Sequence, residues 1–309
     1  MQPEKLFDLS RLKHTKSLFW LAVICVVVAI ALVPLWILDS RQLLGVSVWE
    51  KPIKFYISVA IFSFTYSWLS SFTIRGGRWV KITGLVIAVS LAVENVLILV
   101  MASIGDTSHF NVSSPISIAI WSIMATFISI VLISTIFISI MIMIQKQQPF
   151  NLKLALALGS INTAVGMGLA YLMTQPTALQ LANYQGIAGA HAVGVSDGGP
   201  GLPFLGWSTV AGDLRVGHFF GLHSIQVAAI LLALSLLLPL AFRVPLILVG
   251  NFTWLGFVGL VTWQSLRAEP FSSPSELTII SFVALAAIAS ILFAVLSLAQ
   301  SWAGRKTMA

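Results

Sequence analysis

The sequence predicts an all-α, polytopic membrane protein, and three observations lead to that prediction. Hydrophobic residues fill 58% of the 309 positions and charged residues only 9%, whereas soluble domains carry about a quarter charged residues. Apolar runs of about 20 residues, the length a helix needs to cross a ~30 Å hydrocarbon core, recur along the whole chain. Basic residues gather on alternate connections between those runs, as the positive-inside rule requires. The net charge of +7 is therefore dispersed, and the absence of a single basic face argues against a nucleic-acid partner. The expected partner is the lipid bilayer.

Eight spans are expected, at 17–38, 54–74, 82–104, 115–144, 153–174, 215–242, 244–266 and 275–300. The first follows Lys5, Arg11, Lys13 and Lys16 and mimics a signal peptide, with Ala29 and Ala31 resembling a cleavage motif. Its apolar run exceeds the 7–15 residues of an ordinary signal core, so it is expected to be retained. The second follows Trp49-Glu50-Lys51-Pro52-Ile53-Lys54, whose tryptophan suits an interfacial belt. The third carries Glu94. The fourth is long enough to tilt. Small residues on the fourth and fifth, among them Ser117, Ser134, Ala155, Gly159 and Thr163, suit close helix packing. The sixth opens behind Asp213, a favoured N-cap residue. Only Arg243 to Pro245 separates it from the seventh, which predicts a tight hairpin. Long runs without alternation predict helices rather than barrel strands. Neither an internal repeat nor an inverted repeat is evident. The lone Cys25 can form no internal disulfide.

Orientation follows from charge. With the N-terminus cytoplasmic, the inner segments hold Lys5, Arg11, Lys13, Lys16, Arg75, Arg78, Lys81, Lys146, Lys153, Arg243, Arg305 and Lys306, which is 12 of the 17 basic residues. Arg41, Lys51, Lys54, Arg215 and Arg267 lie outside, together with most of the acids. Both termini are thus expected in the cytoplasm, and the expected location is a bacterial plasma (inner) membrane. One domain is expected over 1–309, with a long outer loop at 175–214. The leucines and aromatics of that loop predict a compact cap rather than disorder.

Candidate chemistry concentrates on the outer side. Glu94 lies ten positions from the outer end of its span, ~15 Å deep at 1.5 Å per residue, where an ionisable group is a functional candidate by default. Four of the five histidines, His109, His191, His218 and His223, are on the same side. His218 and His223 are five residues apart, about 140° around a regular helix, so they do not share a face. Gln226, about 80° from His218, can share its cavity. The segment from Asp197 to Arg215 adds glycines, prolines, Asp213 and Arg215.

This pattern predicts a His/Asp/Glu/Arg-lined site in the extracytoplasmic half. The leading expectation is a metal- or haem-dependent membrane enzyme, performing redox chemistry with a quinone or acting on a lipid-linked substrate. Glu94, Asp213, Arg215 and His223 are its candidate catalytic residues. His218, His223 and Gln226 are the candidates for holding haem or another cofactor. His109, His191, His218 and His223 are the candidate ligands of a divalent transition metal. No G-x-S-x-G motif supports an acyl-enzyme. The alternatives are a proton-coupled transporter that uses Glu94 as its protonation site, and a non-catalytic scaffold or sensor.

Overall fold

A computed structural model of the chain describes Leu6 and residues 8–306, the last three without their side chains. Of the charges that set the expected orientation, Glu4, Lys5 and the side chains of Arg305 and Lys306 lie outside the described residues. The structure is nearly all helical. The long helices are α1 (Lys16–Leu38), α2 (Glu50–Ser70), α3 (Gly77–Ser103), α4 (Pro115–Met143) and α5 (Phe150–Gly168). A short α6 (Ala178–Ala182) lies in the long loop and is followed by α7 (Leu214–Leu222), α8 (Ser224–Leu236), α9 (Leu240–Leu266) and α10 (Glu276–Lys306).

Six segments among the described residues are long and apolar enough to cross a membrane: α1, α3, α4, α5 with its continuation, α9 and α10. The bent pair α7 and α8 makes a seventh if it is counted as one. α2 has the length but is less apolar, because Ser58, Ser63, Thr65, Ser67 and Ser70 interrupt it. It nevertheless runs the full height of its neighbours. Thr15, just before α1, bonds Ser67 and Ser70 near the end of α2, and Gly84, near the start of α3, packs on Thr15 and Leu18. At the other end the Trp49 indole donates to Asp39 at 2.8 Å, and Arg41 donates to the Ser103 carbonyl at 2.8 Å. α1 and α3 are therefore parallel, with α2 returning between them.

Local chemistry sets the boundaries. Gln145 pins the α2–α3 turn by accepting from the Ile74 and Arg75 amides and donating to the Arg75 carbonyl. Ser114 caps α4 by accepting from Ser117 N–H, with Pro115 in the first turn. α9 begins at Leu240, ahead of the break expected at Arg243–Pro245. Pro239 supplies the extended cap, and the Arg243 guanidinium turns back to donate to the Leu238 carbonyl. The sixth expected span is not continuous. It bends by 45° at His223, two residues after Gly221. The Ile225 amide is satisfied by Thr163 Oγ1 of α5 instead. α5 and α7 are in backbone contact there, since a Cβ on Gly166 would lie 2.2 Å from the Gly221 carbonyl carbon.

The loop at 175–214 is an ordered cap. A Thr177–Gln180 capping box opens α6, and Gln180 exchanges hydrogen bonds with the Gly189 backbone. Strand β3 (Ala192–Val193) pairs with β4 (Gly212–Asp213), after a first hairpin of β1 (Gln42–Leu43) and β2 (Val46–Ser47). Two small apolar clusters, around Phe110 and around Trp207, seat the cap on the main core.

Candidate functional site

Glu94 and the segment that follows α3 meet beneath the cap. Glu94 is 5% exposed, and its Oε2 has no hydrogen-bond partner in the protein. Its Oε1 faces His109 Nε2 at 3.6 Å. On the far side of that ring, Nδ1 lies 3.1 Å from Lys51 Nζ and 3.0 Å from Ser108 Oγ. An ammonium only donates, so Nδ1 is the acceptor, and a neutral His109 carries its proton on Nε2, toward the carboxylate. Burial, and then the Lys51 charge, hold the imidazole well below its ordinary value of 6.5, so it is neutral at neutral pH. Phe110 holds the ring in place from a left-handed backbone conformation (φ 63°), an uncommon state for an aromatic residue and a mark of local constraint.

A second pair closes the cap. His191 Nδ1 lies 2.7 Å from Asp197 Oδ2, and the Asp197 carboxylate also accepts from the His191 and Ala192 amides. Burial would raise the Asp197 carboxyl, but the His191 ring and the backbone donors outweigh it and bring the group down to about 2. Burial pushes the His191 imidazole below 6.5 against the pull of Asp197. The Phe110 ring packs edge-on between the two histidines, with its centroid 6.0 Å from His109 and 5.0 Å from His191.

Third is a charged knot at the head of α7. Asp213, 1% exposed, is the N-cap. It accepts from Arg215 Nε at 2.9 Å and Nη2 at 2.6 Å, and from the Ser208 amide at 2.9 Å. Arg215 Nη2 also donates to the Gly206 carbonyl. Lys54 bridges Glu50 at 2.8 Å and the Leu205 carbonyl at 3.3 Å. Gly206, at φ +68°, lies over Arg215, Lys54 and Glu50. Cap and helix starts are thus tied by charge on both sides of the mouth.

Not every expected residue joins this group. His218 Nδ1 donates to the Gly166 carbonyl at 2.8 Å. His223 sits at the bend, with its ring against Phe219 at 4.6 Å. Gln226 lies beside His223 and donates to Thr65 at 2.9 Å. The histidines form a string rather than a shell: His109 and His191 lie under the cap, His218 against α5 and His223 at the bend. Among the described residues no three His, Cys, Asp or Glu side chains converge in a group that could hold a metal ion.

Sequence reasoning passed over Lys51, Glu50 and Asp197 as site residues. The available signal was a lysine in the first turn of an apolar helix beside a proline, a place where an unpaired cation is costly. No protein family, no curated protein and no solved structure matches this chain.

Proposed function

We propose that this is a proton-coupled membrane transporter in which Glu94 is loaded and unloaded through His109 and Lys51 beneath the outer cap. The observation that carries the reading is Glu94 itself: a buried carboxylate, with one oxygen unpartnered and the other facing an imidazole that reaches an ammonium group. A carboxylate this deep costs several kcal/mol unless it is paired or protonated, so a change of protonation there has a large effect on local structure.

The relay balances. Lys51 passes a proton to His109 Nδ1, and His109 passes its Nε2 proton to Glu94. This leaves a neutral amine, the other imidazole tautomer and a carboxylic acid. Lys51 is then reprotonated from the outer face and the imidazole ring turns over, which resets the two donors; release of the proton from Glu94 completes the cycle. Loading Glu94 requires the 3.6 Å gap to close to hydrogen-bond distance, and resetting the relay requires the imidazole to turn over. The broken helix at His223 adds support, because carriers build their sites where spanning helices are interrupted.

Eight crossings with both termini cytoplasmic form part of the proposal: α2 returns between parallel neighbours, and the bent pair counts as one span. Infrared difference spectroscopy across pH, on the purified protein and on Glu94→Gln, tests the reading. A protonated-carboxyl band that titrates and disappears in the variant is expected; its absence at every pH sinks the proposal.

A second reading keeps the site as an enzyme. It rests on the His191–Asp197 pair, in which the carboxylate fixes the imidazole tautomer as it does for a general base. A lipid-linked substrate or a quinone would then react under the cap, with haem or a transition metal as the candidate cofactor. A visible spectrum and metal content of the purified protein test it directly.

A further inference from the structure

We infer that Glu94 has a second, inward branch of proton access along the seam where α1, α2 and α3 meet, ending at Thr15. The inference rests on the proton-handling reading of Glu94 and adds the route to the opposite end of the bundle. The three helices share a register that lets polar groups be placed by height. Gly84 packs on Thr15, and Asn95, eleven residues along α3, donates to the thiol of Cys25, ten residues along α1. Glu94 therefore stands ~15 Å above the Thr15 level, at 1.5 Å per residue.

The face of α2 that lines this seam carries Tyr56, Ser63, Ser67 and Ser70, spaced seven, four and three residues apart and thus on one side of the helix. Its lower end is hydrogen-bonded. Ser67 Oγ accepts from the Thr15 amide at 3.1 Å and donates to the Leu12 carbonyl at 2.6 Å, and Thr15 and Ser70 hydroxyls meet at 2.6 Å. Arg11 continues the line to Ser71. Above that end Ser63 Oγ is fully buried without a protein partner, and at the Glu94 level Asn95 Oδ1 is likewise buried and unpartnered. The Tyr66 hydroxyl approaches Thr135 from the α4 side without closing a hydrogen bond.

Orphaned buried polar atoms are rare and ask for a partner. Here one falls part-way up the seam and the other at the Glu94 level, where pure packing calls for apolar side chains. Ser63 is one turn from Ser67, ~6 Å along the helix, a gap that one or two hydrogen-bonded waters span. Transfer along such a file is balanced: each water or hydroxyl accepts one proton and passes on another, so one proton reaches Glu94 for each that enters beside Thr15.

The chain has a single cysteine, so its S–H band in the infrared reports on one place, the Glu94 level of the seam. The experiment follows S–H to S–D exchange of Cys25 in nanodisc-embedded protein, for wild type, Ser63→Thr and its near-isostere Ser63→Val. Ser63→Val is expected to slow exchange by about tenfold or more, with Ser63→Thr within about twofold of wild type. Equal rates in the two variants overturn the inward branch, as does a wild-type thiol that fails to exchange while cap amides do. Slowing by His109→Phe but not by Ser63→Val also overturns it, because water would then arrive from the outer end. The carboxyl band of Glu94 in the same spectra separates the two proposals. If that band never titrates, the reading of Glu94 fails; if it titrates while the two Ser63 variants exchange alike, only the inward branch fails.

Discussion

Asp213 shows how much of the site depends on single side chains. One buried carboxylate ends β4, caps α7, anchors Arg215 and holds the Ser208 amide. Its backbone carbonyl accepts from Ser265 of α9. Asp213→Asn keeps the shape but removes the charge opposite a guanidinium whose side chain is about one-third exposed. Breaking a buried pair costs about 3–5 kcal/mol, and partial solvation of Arg215 brings the expected loss to about 2–3 kcal/mol. Thermal unfolding in detergent measures it, and a wild-type midpoint would contradict the assignment. Residues such as Asp213 were legible in the sequence because an aspartate before an apolar helix has a local job. Glu94 was legible too, from the cost of its depth. His109, on the segment that follows the same helix, was expected to line the same site; Lys51 was not, since it is 43 positions away and no local rule joins residues across such a separation.

At the level of the helices, glycine decides where backbones touch. Gly166→Ala would place a methyl 2.2 Å from the Gly221 carbonyl carbon, so α5 and α7 must separate and the His218 bond to the Gly166 carbonyl must stretch. Overpacking of this kind costs about 1–3 kcal/mol. Gly168 ends the same helix, with nothing within 4 Å of the place a methyl group would take and a helical φ of −60°. Gly168→Ala is accordingly expected to be neutral or to stabilise by about 0.5–1 kcal/mol. Melting temperatures of the two variants should move in opposite directions or differ widely; equal losses would show that the contact is not tight. Hydropathy located the helices here, because long apolar runs leave the chain little else to do. The bend at His223 was not legible, because a glycine such as Gly221 is common inside apolar spans. It is maintained by Thr163 on another helix, a tertiary replacement for a lost helical bond. The α8–α9 boundary was displaced for a simpler reason: Pro239 acts as the cap, and Pro245 is accommodated inside α9.

For the molecule as a whole, the cap and the bundle are joined largely through groups that titrate. His109, His191 and Asp197 all have folded-state values below their ordinary ones. A histidine held low binds fewer protons in the closed cap than in an open one. Its contribution is therefore complete above pH 6.5 and declines as acid charges the open form. Asp197 adds a second loss as pH falls from 3.8 toward about 2. The cap is expected to loosen progressively on acidification and to tighten as pH rises. Amide hydrogen exchange at Ala188, His191, Ala192 and Leu214, whose N–H groups hold the cap, reads this out. Protection that does not change between pH 7 and 4 would refute it. The existence of a cap was readable from Trp207, Phe204, Leu202 and Leu205 in a glycine-rich loop. Its closure by β3 and β4 was not, because that pairing joins residues about twenty positions apart.

The last helix has a different standing from the rest. α10 packs chiefly on α9, and its central span is 0% buried, so Glu94, His109, His191 and the seam at Thr15 are complete without it. Helices α1 to α9 can thus close around the chemistry by themselves, and α10 lies against α9 as an outer stave.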